Sequence, residues 1–554
     1  MDFRGSRLSV LMVLMAVVPG CILASGAGRA EAQSAWGHWT QWGDLGNGHY
    51  RNPVLPADYS DLDVIRTGDD YYAITSTFQF SPGIAVLHSR DLVNWTTVGH
   101  AVPDLTQISP QLNWDRMNRY GRGIWAGAIR YHQGRFWIYF GTPDEGYFMT
   151  SAERPKGPWT PLHHVLKSPG WDDCAPFWDD DGKGYLVGTH FSDGYKIHLW
   201  EMTADNKDLI ADSDQVIYQA KGSEASKLYK INGTYYHFFS EVVGNTRVMM
   251  MRRAASIRGP WSDKRQLMQG DRPAREPNQG GIVPGPDGNW YFFTHHGMGD
   301  WEGRSASLLP VVWIDGWPVI GKPDADGVGT MVWGGKMPLA GAPHSFPQGS
   351  DEFDAGNLSP VWEWNYQPRA GKWSLDERPG FMRLHAFAGM DGSNLLKVGN
   401  VLTQRVVRTS GQSFSARIEL KAMADGQHAG LVHFTAQLDR NPAASSASVG
   451  VVMENGRWFV EVSRDGVYKR LQAWPHDAIW LQSAWGLDGK SAWSISADGK
   501  AFQPVGEMFQ LTWGAYRGGR VGLFTFNPLK EQGYVDIDSV QYAIDRGAAP
   551  DFIQ

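Results

Sequence analysis

Cysteine is nearly missing from this 554-residue chain: Cys21 and Cys174 are the two. A disulfide framework is thereby excluded, and a chain of this length can bury enough core without one. A basic excess is missing too. Lys and Arg number 51 against 58 Asp and Glu, a net charge of −7. Nucleic acid and anionic membranes are bound through a basic face, so neither is an expected partner. No apolar run spans a bilayer. The longest, Leu8 to Val18, falls short of the ~20 residues a spanning helix needs. Sustained helical periodicity is also absent. What the chain has in quantity is glycine, 65 residues, and tryptophan, 26, the signature of many short strands joined by tight turns.

The N-terminus reads as a targeting segment. Arg4 and Arg7 precede the apolar run, and Ala30-Glu31-Ala32 supplies a small-x-small cleavage site. Residues 1–32 are thus expected to be a signal peptide, with export to the periplasm or medium. Val18-Pro19-Gly20-Cys21 loosely matches a lipoprotein box, a reading that Pro19 weakens. Cleavage after Ala32 leaves Cys174 with no intrachain partner. The sequence carries no signal of oligomeric state.

A repeat runs through the first 335 residues. A glycine turn followed by aromatic residues recurs at Gly68-Asp69-Asp70-Tyr71-Tyr72, Gly134-Arg135-Phe136-Trp137, Gly182-Lys183-Gly184-Tyr185, Gly233-Thr234-Tyr235-Tyr236 and Gly288-Asn289-Trp290-Tyr291. Each reads as a hairpin whose glycine supplies positive φ. The glycines are 66, 48, 51 and 55 residues apart. A second marker keeps phase: Trp95, Trp159 and Trp261 follow their glycines by 27, 25 and 28 residues. Five units of this size predict a five-bladed β-propeller over residues 36–335.

A Gly-, Pro- and Ala-rich linker is predicted over 336–350 and a β-sandwich over 351–548. In the latter, Phe414, Ala416, Ile418, Leu420 and Ala422 alternate with Ser415, Arg417, Glu419 and Lys421, the period of a half-buried strand. Asn455-Gly456 predicts a hairpin between Val449–Met453 and Trp458–Val462; Asp498-Gly499 predicts another, leading into Ala501-Phe502. The fold class is all-β: a five-bladed propeller followed by a jelly-roll sandwich.

The innermost strand of a blade lines the central channel and precedes the inner hairpin glycine. Counting back from those glycines, Asp61 lies 7 residues before Gly68, Asp173 lies 9 before Gly182, and Glu224 lies 9 before Gly233. The same position holds Ile124-Trp125-Ala126 in the second unit and Asn278-Gln279-Gly280 in the fifth. Three carboxylates should therefore converge, and each raises the pKa of the others unless something uses them. Glycoside hydrolysis uses them, one acid protonating the leaving oxygen while a carboxylate activates water. Ca²⁺ binding is a competing use, and solvated turn acids a third. Asp63 is two residues from Asp61, and spacing alone does not choose between them.

These residues carry a resemblance. Asn52-Pro53-Val54-Leu55-Pro56, Tyr59-Ser60-Asp61, Ser76-Thr77-Phe78, His88 to Trp95, Trp125-Ala126, Phe177 to Gly182, Glu224 with Leu228-Tyr229-Lys230, and Gly303-Arg304, in that order, resemble glycoside hydrolase family 43. The similarity spans about residues 50–320 and is nearest the β-xylosidase and arabinofuranosidase branch. Members of that branch carry a C-terminal concanavalin-like sandwich, which residues 351–545 resemble. By motif, the resemblance implies Asp61 as general base, Glu224 as general acid and Asp173 as the acid that orients Glu224 and tunes its pKa. It also implies Arg304 as a substrate contact, with Phe78 and Trp125 as aromatic walls of the sugar subsite. The implied activity is inverting, exo-acting release of pentose, as a β-1,4-xylosidase on xylo-oligosaccharides. An α-L-arabinofuranosidase, or both activities, is the alternative, and a non-catalytic glycan-binding propeller the reading from another class. No cofactor is required for the chemistry; a structural Ca²⁺ in the channel or sandwich is compatible with it.

The motifs also depart from the family. Leu62-Asp63 replaces Pro-Ser after the base, Gly127 replaces a Pro, and Cys174-Ala175-Pro176 replaces Pro-Ser-Leu. After Glu224, Ala225-Ser226-Lys227 replaces Pro-His, and Asn278-Gln279-Gly280-Gly281 stands where many members have a channel His, a place His295 or His296 could fill. Lys227, beside the acid, reads either as a contact for a charged or branched substrate or as a solvated lysine.

Overall fold

The structure is a computed structural model that describes residues 42–269, 277–297, 301–434, 446–512, 514 and 517–544. The expected signal peptide lies outside the described residues. The described residues form one compact unit. Among the described residues, strands are joined by turns and four single-turn 3₁₀ helices, and no helix is long and apolar enough to cross a membrane.

Five antiparallel meanders follow one another, each running outward in chain order. Their first strands are Asp63–Thr67, Gly127–His132, Trp171–Trp178, Glu224–Ile231 and Pro277–Pro284. Each of these touches the next, and the fifth touches the first, so the ring is closed around a channel. The turns after them need a left-handed backbone. Gly68, Gly134, Gly182, Gly233 and Gly288 all have φ between +64° and +85°, where a β-carbon would be strained. Trp95, Trp159 and Trp261 lie in or just after the turns between third and fourth strands of sheets one, two and four. Asn52, fully buried, fastens the beginning of the ring to its end. Its amide donates to the Leu308 and Val332 carbonyls, both at 2.8 Å, and its oxygen accepts the Leu308 N–H at 2.8 Å.

Among the described residues the C-terminal part is two packed sheets of eight and seven strands, the eight including one strand lent by the propeller. Phe414, Ala416 and Ile418 of one sheet meet Leu431, Val449, Val451, Val521 and Leu523 of the other in a common apolar core. That inward row is what period-two alternation demands. Asn455 and Gly456 both have positive φ, as a two-residue hairpin between Ser446–Glu454 and Arg457–Arg464 requires. After Asp498-Gly499 the strand starts at Gln503 rather than at Ala501. The Asp498 carboxylate holds the N–H groups of Lys500 and Ala501 at 2.8 and 2.9 Å and prolongs the turn.

Two features of the junction go beyond the sequence expectation. The propeller strand Phe80–Ser81 adds to the edge of the eight-stranded sheet by pairing with Glu363–Asn365. The segment 336–350 is bonded at several points: Gly334–Lys336 pairs with His49–Arg51, Gln348 accepts from the Tyr59 hydroxyl at 2.6 Å, and Gly349 donates to Gln404 at 3.1 Å. One apolar cluster runs through the junction from Tyr59, Leu62 and Trp95 to Phe414 and Leu431.

Candidate active site

The carboxylates reach the channel because their strands are irregular there. Asp61 and Asp173 are left-handed, with φ of 56° and 51°, and so is Ala225, beside Glu224, at 61°. The pairing register slips between Asp172 and Ala175 and again between Glu224 and Lys227. Such bulges re-aim side chains, and strained non-glycine backbone collects at functional sites.

Arg304 grips Asp61 with both ends of its fork. Nη1 is 3.0 Å from Oδ1 and Nη2 is 3.2 Å from Oδ2, while Nε donates to the Ser60 hydroxyl at 3.2 Å. A two-point grip of this kind fixes carboxylate orientation as well as charge. The Asp61 N–H donates to Nδ1 of His295 at 2.6 Å, so the ring proton sits on Nε2, which donates to Asn278 Oδ1 at 2.5 Å. Burial holds the His295 pKa well below its ordinary value, and the Arg304 charge adds to the effect. A neutral ring fits that pattern of bonds.

Glu224 is the more open acid, its side chain 25% exposed against 8% for Asp61. Arg247 Nη1 stands 3.0 Å from its Oε1 and also donates to the Gly222 carbonyl at 2.7 Å and the Ser240 hydroxyl at 3.1 Å. Desolvation pushes the Glu224 pKa up to about 7, against the pull of Arg247 and with the repulsion of Asp173 and Asp61. Asp173 accepts the Ala225 N–H at 2.5 Å on one oxygen and the Gln279 amide at 2.6 Å on the other. Burial raises its pKa, the Ala225 N–H opposes, and the Asp61 charge raises it further.

Beneath the acids the channel is crossed by side chains from four of the five sheets. Lys227, 2% exposed, lies 3.8 Å from Asp63 Oδ1 and donates to Gln279 Oε1 at 3.4 Å. Asp63, fully buried, also receives Arg130 at 2.5 Å and the Ile129 N–H at 2.9 Å. Beyond this layer, at the hairpin end, lies a cavity of about 690 Å³ lined by Arg66, Arg130, Tyr131, Tyr229, Lys230 and Trp290 among others. Lys227 is therefore neither solvated nor a substrate contact. It is an internal lysine whose pKa burial lowers, while the Asp63 carboxylate beside it opposes that shift and favours the ammonium. The structure also separates Asp61, under the acid pocket, from Asp63, in the floor.

Among the expected subsite residues, Trp125 is half-buried at the same strand level, its ring 5.9 Å from Phe191. Phe78 is 1% exposed; its backbone pairs with Ile124 and its ring lies 5.0 Å from the Arg517 guanidinium of the sandwich. It braces the Trp125 segment. Of the two histidines suggested for the channel, His295 reaches the site and His296 turns to Ser307 at 2.7 Å. Arg247, Gln279 and Asp172 carried no expected role. Asp172 faces the acids: burial, then the charges of Asp173, Asp61 and Glu224, raise its pKa well above the ordinary range. Among the described residues, no group of three or more His, Cys, Asp or Glu side chains is disposed to hold a metal ion.

The sandwich touches the base side. Arg405 Nε donates to the Asp58 carbonyl at 2.7 Å, and the Arg408 N–H to the Pro56 carbonyl at 2.8 Å. Arg408 also pairs with Glu302 at 2.8 Å, both fully or nearly buried, two residues from Arg304. Arg405 and Arg520 in turn share Glu363, at 3.0 and 2.7 Å.

A propeller channel with an Arg-held carboxylate facing a carboxylic acid of raised pKa defines a glycosidase. The comparisons agree. Residues 50–318 match the glycosyl hydrolases family 43 and residues 350–543 the β-xylosidase C-terminal concanavalin A-like domain. A β-xylosidase of Formosa agariphila is 32% identical, the match covering 91% of this chain and 92% of that protein. A non-reducing end α-L-arabinofuranosidase of Bacteroides ovatus is 29% identical over 64% of this chain and 68% of its own. Among solved structures, a bifunctional GH43-CE protein of Bacteroides eggerthii superposes with a TM-score of 0.77 at 28% identity, covering 91% of this chain and 64% of that one. The chain belongs to glycosyl hydrolase family 43.

Proposed function

We propose that this enzyme is an inverting, exo-acting β-1,4-xylosidase that releases xylose from xylo-oligosaccharides. The observation that carries the reading is the unequal treatment of two facing carboxyls. Desolvation pushes the Glu224 pKa up to about 7, so a large protonated fraction persists near neutral pH, while Asp61 is bound at both oxygens by a guanidinium. Glu224 gives its proton to the departing glycosidic oxygen as the C1–O bond breaks. Asp61 takes a proton from a water that attacks C1 from the opposite face. The sugar leaves with inverted configuration, Glu224 ionised and Asp61 protonated, and proton exchange with solvent resets both. Every proton in this scheme is carried by these two residues. The closed channel floor supports action at chain ends, because a chain has no exit beyond it. Similarity to the Formosa agariphila enzyme supports xylose; similarity to the Bacteroides ovatus enzyme keeps arabinofuranosides as the second reading. Export belongs to the proposal and rests on Arg4, Arg7, the run to Val18 and the Ala30-Glu31-Ala32 site.

The test is sugar release from xylobiose and from an aryl α-L-arabinofuranoside, by wild type and Glu224→Ala. Cleavage of xylobiose, reduced about two to four orders of magnitude in the variant, is expected. Preference for the arabinofuranoside would install the second reading. Cleavage of neither would overturn both.

A further inference from the structure

Lys227 lies in the floor of the site, touches no reacting atom, and has no part in the reaction above. Its three N–H bonds can only donate. The atom it meets on the side of the acids is Gln279 Oε1, at 3.4 Å. A primary amide has one accepting end and one donating end, so a cation on the first fixes the direction of the second. The donating end, Nε2, meets Asp173 Oδ1 at 2.6 Å, and the other Asp173 oxygen accepts the Ala225 N–H at 2.5 Å. Ala225 follows Glu224 in the chain. The polarity thus runs one way, from ammonium to amide to carboxylate, and ends beside the acid.

All members of the line are shut away from solvent: Lys227 is 2% exposed, Gln279 4% and Asp173 5%. In such surroundings a carboxylate with both oxygens accepting keeps its charge, whereas one facing an amide oxygen would have to carry a proton. The charged groups that face Lys227 are Asp63, Asp173, Asp61 and Arg130. Those that face Glu224 are Arg247, Asp173, Asp61 and Arg304, with Asp172 adjoining.

We propose that Lys227 and Gln279 are positioning residues that hold Asp173 as an anion, the state in which its charge strengthens the hold of Glu224 on its proton. The role rests on the reading of Glu224 as the acid, and it is specific to this chain's Lys227 and Gln279. Asp63 anchors the ammonium from below, so the device is built into the floor.

The decisive variant is Gln279→Met, which changes no charge and leaves the Lys227–Asp63 pair in place. Lys227→Met is the second. In each, Asp173 loses its directed donor and takes a proton at higher pH. Glu224 then keeps the Asp61 charge but loses that of Asp173, and its own titration falls below about 7. The readout is carbon NMR of labelled glutamate carboxyls in the full-length protein without substrate, the Glu224 signal being assigned by its loss in Glu224→Gln. A fall of on the order of one pH unit in both variants, with the alkaline limb of kcat/KM falling by the same amount and KM little changed, is expected. An unmoved Glu224 midpoint in the folded Gln279→Met protein overturns the proposal, whatever its activity. Because that midpoint is read without turnover, failure of the xylosidase reading would show separately, as no hydrolysis by wild type.

Discussion

Among the described residues, Glu224 and Asp173 meet Arg247, Ala225 and Gln279, which belong to the propeller, whereas Asp61 and Arg304 sit on segments gripped by the sandwich. The acid half of the site is thus local to three neighbouring sheets, and the base half depends on a second fold. The acid half tunes proton affinity through buried polar bonds. The base half secures position, with Arg405 on the Asp58 carbonyl and Arg408 on both Pro56 and Glu302.

That contrast can be broken most directly at the two acids. Asp61→Asn is expected to cost about two to four orders of magnitude in kcat/KM on every pentoside. Glu224→Ala should cost as much on xylobiose but far less on aryl pentosides whose leaving group needs no proton. Equal losses on both substrates in the Glu224 variant would contradict the assignment. Next comes the grip itself. Arg408→Met takes from the buried Glu302 the guanidinium that lies 2.8 Å away, a loss of about 3–5 kcal/mol in chemical denaturation. Activity should fall with it while the alkaline limb set by Glu224 stays put; a moved limb would show that the two halves are not separate. A smaller effect, about tenfold in kcat/KM, is expected for Arg304→Lys, which keeps the charge and loses the fork.

The pH profiles sharpen the same comparison. The acid must be protonated to work, so kcat/KM falls as pH rises through about 7. Stability has two signs. Glu224 has a folded pKa above its unfolded value of about 4.3, so its contribution is full below that value and is lost as pH rises through about 7. At the seam, burial alone would raise Glu363, but Arg405 and Arg520 outweigh it and hold it far below the usual carboxylate range. Its contribution is full above about 4.3 and is lost as the medium is acidified. Acid should therefore loosen the seam first, and Glu363→Gln should flatten the acid side of an unfolding-versus-pH curve. An unchanged acid side in that variant would remove Glu363 from the account.

The acid half was the more legible in the sequence. A count of nine back from four of the five hairpin glycines lands on Trp125, Asp173, Glu224 and Gln279, because blade geometry repeats and glycine marks it. The same count could locate Gln279 without revealing its role, since a lone glutamine has no motif. Asp172 was hidden by the bulge: alternation sends neighbours to opposite faces, and the register slip after Asp172 suspends that rule. Lys227 was misread because no local pattern announces that Asp63, 164 residues earlier, lies beside it. The base half was less legible still. Arg405, Arg408 and the strand Phe80–Ser81 act across the junction of two folds, and such contacts leave no periodicity in either.

The crossed floor of Lys227, Asp63, Arg130 and Gln279 makes the pocket a cul-de-sac. A monosaccharide freed there must back out through the mouth that the next chain end enters, so departure and arrival take turns at one door. Free pentose then competes with substrate for the same doorway. Inhibition by the released sugar should be competitive, raising KM and leaving kcat alone; a purely noncompetitive pattern would mean that a second way out exists.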